Sequence, residues 1–148
     1  MTNLALLPHS RRRVLVDSSG FLAAFNPRDE HHHQARAMWD TLTEQRFRTY
    51  TTNYVIAETH NLFIVRLGHQ HARTFLRDVA QSKIVTIRVR ASDEEQARNI
   101  VLRYTDKDFS LTDATRFVIM DRLDIPYVFT FDGHFAQHGL TALTQALL

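Results

Sequence analysis

Four carboxylates stand where a folding chain has to account for them. Asp17 ends the apolar run "RVLVD" and Asp132 ends "YVFTFD", so two prospective strands each run their core straight into an acid. Glu58 lies in "NYVIAETHNLF", where Tyr54, Val55, Leu62 and Val65 at helical spacing point it into an apolar stripe. Asp113 follows "FSLT" and opens a helix whose Phe117 and Met120 share its face. Each has an ordinary explanation on its own. An aspartate before a helix is a standard cap, an acid in the first turn suits the helix dipole with Thr112 as a possible cap, and Asp132 beside Gly133 begins a turn. Glu58 is harder to dismiss, because glutamate is almost never fully buried without a partner; its ordinary explanation is a small rotation that leaves it at the stripe's edge in water. Gathered together the four would repel, two charges 4 Å apart by about 4 kcal/mol at an effective dielectric near 20. A divalent cation removes that cost. An all-oxygen ligand set in a chain without cysteine suits Mg²⁺ or Mn²⁺ better than zinc. Such an ion polarises a phosphoryl oxygen and lowers the pKa of a bound water.

The elements around these acids alternate. "RVLVD", "FRTYTT", "KIVTIRV" and "YVFTFD" read as strands. Between them, "SGFLAAF", "HHHQARAMWDTLTEQ", "NYVIAETHNLFIVRL" (ending near Gly68), "QHARTFLRDVAQ", "SDEEQARNIVLRY" and "TDATRFVIMDRL" read as helices, the fifth opening on a Ser92 cap. "TALTQALL" is a weak final element. This order predicts a parallel sheet with helices on both faces, in which ligands sit outside the carboxyl ends of the strands. Asp17 and Asp132 share that address.

The 148 residues suffice for one domain with a real core, and 44% hydrophobic against 23% charged residues is ordinary for a globular chain. Residues 1–10 read as a loose amino-terminal arm, not a signal peptide, and residues 11–148 as one domain. No apolar run is long enough to span a bilayer. With no cysteine there is no disulfide framework, and a cytoplasmic setting is expected. Lys83 and Lys107 are the only lysines, so the basic side is arginine, whose rigid fork permits a phosphate-bearing partner. The four glycines form neither a dinucleotide-binding nor a P-loop pattern. "DSSG" lacks the second acid that phosphotransfer and phosphatase sites use.

The segments "LVDSSGFLA", "TTNYVIAETHNLF", "DFSLTDA" and "TFDGHF", in this order, resemble the PIN-domain nucleases, the family that includes the VapC-type toxins. The resemblance implies an acidic quartet at Asp17, Glu58, Asp113 and Asp132, with Ser19, Thr112 and Thr130 orienting the carboxylates or a metal-bound water. It implies a three-layer α/β/α fold around a parallel sheet, dependence on Mg²⁺ or Mn²⁺, and hydrolysis of RNA. It further implies a homodimer, with residues 53–82 as its surface, and an antitoxin that restrains the enzyme. A free-standing RNA-processing nuclease, or a PIN-like module that binds nucleic acid without cleaving, are the alternatives.

Other basic groups bear on substrate. Arg116, one turn after Asp113, is the best-placed cation over the acids, while Arg11, Arg12 and Arg13 either grip phosphates or solvate the entry to the first strand. His134 could touch a phosphate or sit in a surface turn. The three histidines of "EHHHQ" project about 100° apart on a helix and cannot chelate one ion together.

Overall fold

In the computed structural model, which describes residues 4–131 and 141–142, the apolar run after Arg12 forms strand β1 (Arg13–Val16). Val14 and Val16 enter one hydrophobic core and Leu15 the other, as a strand buried on both faces requires. Strand β4 (Tyr127–Phe129) repeats the alternation, with Tyr127 and Phe129 in the first core and Val128 in the second.

Helices α1 (Ser18–Phe25) and α2 (His32–Glu44) lead from β1 to strand β2 (Arg48–Thr52). Helices α3 (Asn53–Leu67) and α4 (His69–Gln81) lead on to β3 (Val85–Ile87), and α5 (Ala91–Arg103) and α6 (Leu111–Arg122) to β4. With β5 (Thr141–Ala142) the sheet has the order β3-β2-β1-β4-β5, every neighbouring pair parallel. Phe21, Met38, Phe63 and Phe75, from α1 to α4, fill the first core, and Phe117, Ile119 and Met120 of α6 fill the second. The expected three-layer α/β/α arrangement around a parallel sheet is therefore present.

The chain leaves β1 to one side for β2 and returns to its other side with β4, so the carboxyl ends of β1 and β4 flank the point where strand order reverses. Open α/β sheets bind ligands at such a crevice. The pairing of Val16 with Phe129 continues one residue further, Asp17 N–H donating to the Phe129 carbonyl at 3.1 Å. Asp17 and Thr130 are thereby held side by side at the rim.

Gly20 lets α1 come down onto β4 at this edge: a Cβ there would meet the Phe129 ring and, at 2.5 Å, its carbonyl oxygen. Gly20→Ala is expected to destabilise the protein by about 1–3 kcal/mol, the usual cost of overpacking, measured by urea unfolding. An unchanged midpoint would show that the helix can retreat without loss.

One local reading changes. The fifth helix begins at Ala91, one residue ahead of Ser92, because the Asp93 carboxylate reaches back to accept the Arg90 N–H at 2.9 Å. Toward the amino terminus, Leu4–Leu6 and His9–Arg11 form short 3-10 turns, and Leu4 is buried in the first core. The Arg12 guanidinium ties those turns down through the carbonyls of Ala5, Leu7 and Gln45.

Candidate active site

Asp17 is the N-cap of α1, and its Oδ1 accepts the Ser18 N–H at 2.5 Å. The cap does not exhaust it. Oδ2 accepts the Thr130 hydroxyl at 2.6 Å and the Ser19 hydroxyl at 3.3 Å, while Oδ1 meets Nη1 of Arg116 at 2.5 Å. Ser19 also lies 3.0 Å from Thr130 Oγ1 and accepts the Phe131 N–H at 2.9 Å, tying the start of α1 to the chain leaving β4. Each oxygen of a residue only 1% exposed is thus held by donors, the condition under which a carboxylate can be buried.

Asp113 stands in the first turn of α6. Its Oδ2 accepts the Ser110 N–H at 3.1 Å while its own N–H donates to Ser110 Oγ at 3.0 Å, a reciprocal capping box. Ser110 and not Thr112 is the cap, because helix α6 starts one residue before Thr112. The Thr112 carbonyl accepts the Thr115 hydroxyl at 2.6 Å, and among the described residues its own hydroxyl meets no carboxylate. The other oxygen of Asp113 meets Nη2 of Arg116, one helical turn along.

Glu58 arrives from α3 in a different environment from the one its spacing suggests. The buried stripe of α3 is Val55, Thr59 and Phe63; Val65 is exposed. Thr59 takes the core position by donating its hydroxyl to the Val55 carbonyl at 2.6 Å. That turns the stripe by one residue and puts Glu58 at its edge, its side chain 33% exposed, with Oε2 3.4 Å from Nη1 of Arg116.

Three acids from α1, α3 and α6 therefore converge on one guanidinium that is itself 1% exposed. Arg116 is no surface cation over the acids; it is their buried counter-ion. The i,i+3 spacing from Asp113 on one helix face was the signal for this. Among the described residues no three His, Asp or Glu side chains surround a common point as metal ligands would, since the guanidinium stands at the point they face. Asp132 and His134 lie outside the described residues.

The remaining candidates are placed elsewhere. Arg12 and Arg13 sit at the far end of β1, where Arg13 donates to the Leu123 carbonyl at 3.0 Å; these two guanidinium groups are spent on backbone, and Arg11 is exposed at the same end. His31 stacks on Phe131 with ring centroids 4.4 Å apart, His32 Nδ1 lies 2.8 Å from the Ala23 carbonyl, and His33 is exposed. The three histidines do point three ways. A second ion pair, the buried Asp93 with the exposed Arg122, joins α5 to α6; each charge alone reads as a solvated helix residue.

Thr130→Val removes a short donor to a buried carboxylate and keeps the side chain's shape. It is expected to cost roughly 1.5–3 kcal/mol of stability in denaturant unfolding, the range for hydrogen bonds to charged groups. A loss below about 0.5 kcal/mol would mean that Ser19 replaces it fully.

Residues 14–139 match the sequence model of the PIN domain. The chain is 32% identical over 127 residues to the 23S rRNA-specific endonuclease VapC20 of Mycobacterium tuberculosis, covering 85% of this chain and 94% of that protein. It is 27% identical over 124 residues to ribonuclease VapC26 of the same organism, covering 83% and 90%. The crystal structure of VapC20, described as a sarcin-ricin loop cleaving toxin, superposes with a TM-score of 0.80 at 28% identity, covering 86% of this chain and 96% of that one. FitAcB of Neisseria gonorrhoeae shares the fold with a TM-score of 0.61 at 16% identity.

Proposed function

The chain belongs to the PIN-domain family as a ribonuclease of the VapC type, and on that premise we propose that it is a toxin endoribonuclease whose acidic pocket holds a divalent metal ion. The observation that carries the proposal is the convergence of Asp17, Glu58 and Asp113 on one buried cation at the carboxyl edge between β1 and β4. The donor chemistry fits a hard ion, because the three described acids offer carboxylate oxygens and no thiol exists in the chain. Asp17, Glu58 and Asp113, with Asp132, would hold Mg²⁺ or Mn²⁺, and the bound ion supplies Lewis acidity toward a phosphoryl oxygen and an acidified water.

The protein's own groups do the positioning. Thr130 and Ser19 fix Oδ2 of Asp17, and the Ser110 N–H fixes Oδ2 of Asp113, so both carboxylates turn their Oδ1 atoms inward. One carboxylate of the set takes the proton from the attacking water. Glu58 is the most exposed of the three described acids and so the one a phosphodiester in solution would meet first.

Large ribosomal RNA is the first substrate to test, carried over from the activity named for VapC20. Ribosomes and protein-free total RNA, incubated with the pure protein and Mg²⁺ or Mn²⁺, should yield new 5′ ends confined to one structured loop of the large ribosomal RNA. Cuts in transfer or messenger RNA alone would overturn the substrate, and no cuts in any RNA would overturn the activity. The restraining partner is an antitoxin encoded by a neighbouring small reading frame, and the site of action is the cytoplasm; no described helix is long and apolar enough to cross a membrane. The second copy of a homodimer would pack on α3 and α4, which leave Val65 and Leu76 exposed. Sedimentation at the mass of a monomer across micromolar concentrations would remove that last element.

A further inference from the structure

We propose that Arg116 and the divalent ion compete for the same carboxylate oxygens, so that metal binding expels the guanidinium from between Asp17 and Asp113. This rests on reading the acids as an ion site. The outer oxygens of both aspartates are committed to protein donors: Asp17 Oδ2 to Thr130 and Ser19, Asp113 Oδ2 to the Ser110 N–H. The oxygens turned toward each other are Oδ1 of Asp17, which also accepts the Ser18 N–H, and Oδ1 of Asp113; Nη1 and Nη2 of Arg116 now hold both, so an ion drawn to the two aspartates would contend with the guanidinium for them. Nη1 also lies 3.4 Å from Oε2 of Glu58, so the guanidinium spans all three described acids. One small ion and one planar cation cannot occupy that point together, and each repels the other.

The arrangement has a use in the absence of metal. Two nearly buried aspartates would otherwise repel each other, and the guanidinium keeps them assembled. It also has an exit. Of the three acids only Glu58 is substantially exposed, so the way out of the pocket runs past it, and Arg116 has a long flexible stem on a rigid helix. Expelled by that route, the guanidinium would meet an incoming phosphodiester, which gives Arg116 a positioning role toward RNA once metal is bound.

Calorimetric titration of the metal-free protein with Mn²⁺ tests the competition on Arg116→Met and Arg116→Lys beside wild type. Arg116→Met is expected to bind Mn²⁺ at least tenfold more tightly, with Arg116→Lys between the two. Equal or weaker binding by Arg116→Met, with wild type binding normally, would overturn the competition and leave the proposed function standing. No Mn²⁺ binding by any of the three would remove the ion site itself. Should Arg116→Met fail to fold without metal, the wild type decides alone. The Nε–H resonance of Arg116, assigned by its loss in Arg116→Lys, should shift as diamagnetic Mg²⁺ saturates the site. A resonance unmoved while calorimetry records Mg²⁺ binding would refute the expulsion.

Discussion

Asp17→Asn and Asp113→Asn are each expected to slow RNA cleavage by roughly 10³-fold while leaving the fold in place. Asparagine keeps the shape of each side chain and an acceptor for the Ser18 or Ser110 N–H. What it loses is the unit charge aimed into the pocket. Between unit charges at 4 Å and an effective dielectric near 20 that is about 4 kcal/mol, or about three powers of ten in rate if it acts only in the transition state. Arg116 retains two of its three acids in either variant, so thermal unfolding should remain cooperative. Glu58→Gln should lose less, because its carboxylate is a third exposed and therefore screened. Initial rates on a labelled RNA under single-turnover conditions measure all three. A loss under about tenfold in either aspartate variant would take these residues out of the chemistry.

Arg116→Met is expected to be the most destabilising single change at the site, by about 3–5 kcal/mol in the metal-free protein. Breaking a buried ion pair from one side leaves the other charge buried and uncompensated, and here two nearly buried aspartates are left facing each other. For a chain of 148 residues this corresponds to a fall in Tm of roughly 6–20 °C. Mg²⁺ should restore part of that loss, because an ion that binds only the folded state stabilises it by mass action. Differential scanning calorimetry with EDTA and with excess Mg²⁺ gives both numbers. A Tm within about 2 °C of wild type in EDTA would mean that the aspartates do not depend on the guanidinium.

Much of this was legible in the residues. An apolar strand that runs into Asp17, and strands alternating with helices, were enough to place Asp17 at the carboxyl edge of a parallel sheet. Asp17 also shows that capping a helix does not exhaust a carboxylate: one oxygen accepts the Ser18 N–H and meets Arg116 while the other accepts the Thr130 hydroxyl. What the pattern hid was phase and partnership. Helical spacing put Glu58 in the core stripe because it counted only apolar residues, whereas Thr59, which bonds its own helix backbone, fills that position. Spacing puts Arg116 one turn after Asp113, a cation available to a substrate over the acids, and says nothing of its burial. Its burial depends on acids that come from α1 and α3, far away in sequence. The Ser110 cap could have been read from the Ser-x-x-Asp spacing to Asp113, a close variant of the capping box.

The most direct test of the central claim compares the wild type with the double variant Asp17→Ala, Asp113→Ala on ribosomal and total RNA, in Mg²⁺, in Mn²⁺ and in EDTA. A metal-dependent ribonuclease that works through this pocket predicts cleavage by the wild type in either metal, none in EDTA, and none by the double variant under any condition. Equal cleavage by both proteins, or cleavage by the wild type that survives EDTA, would contradict it.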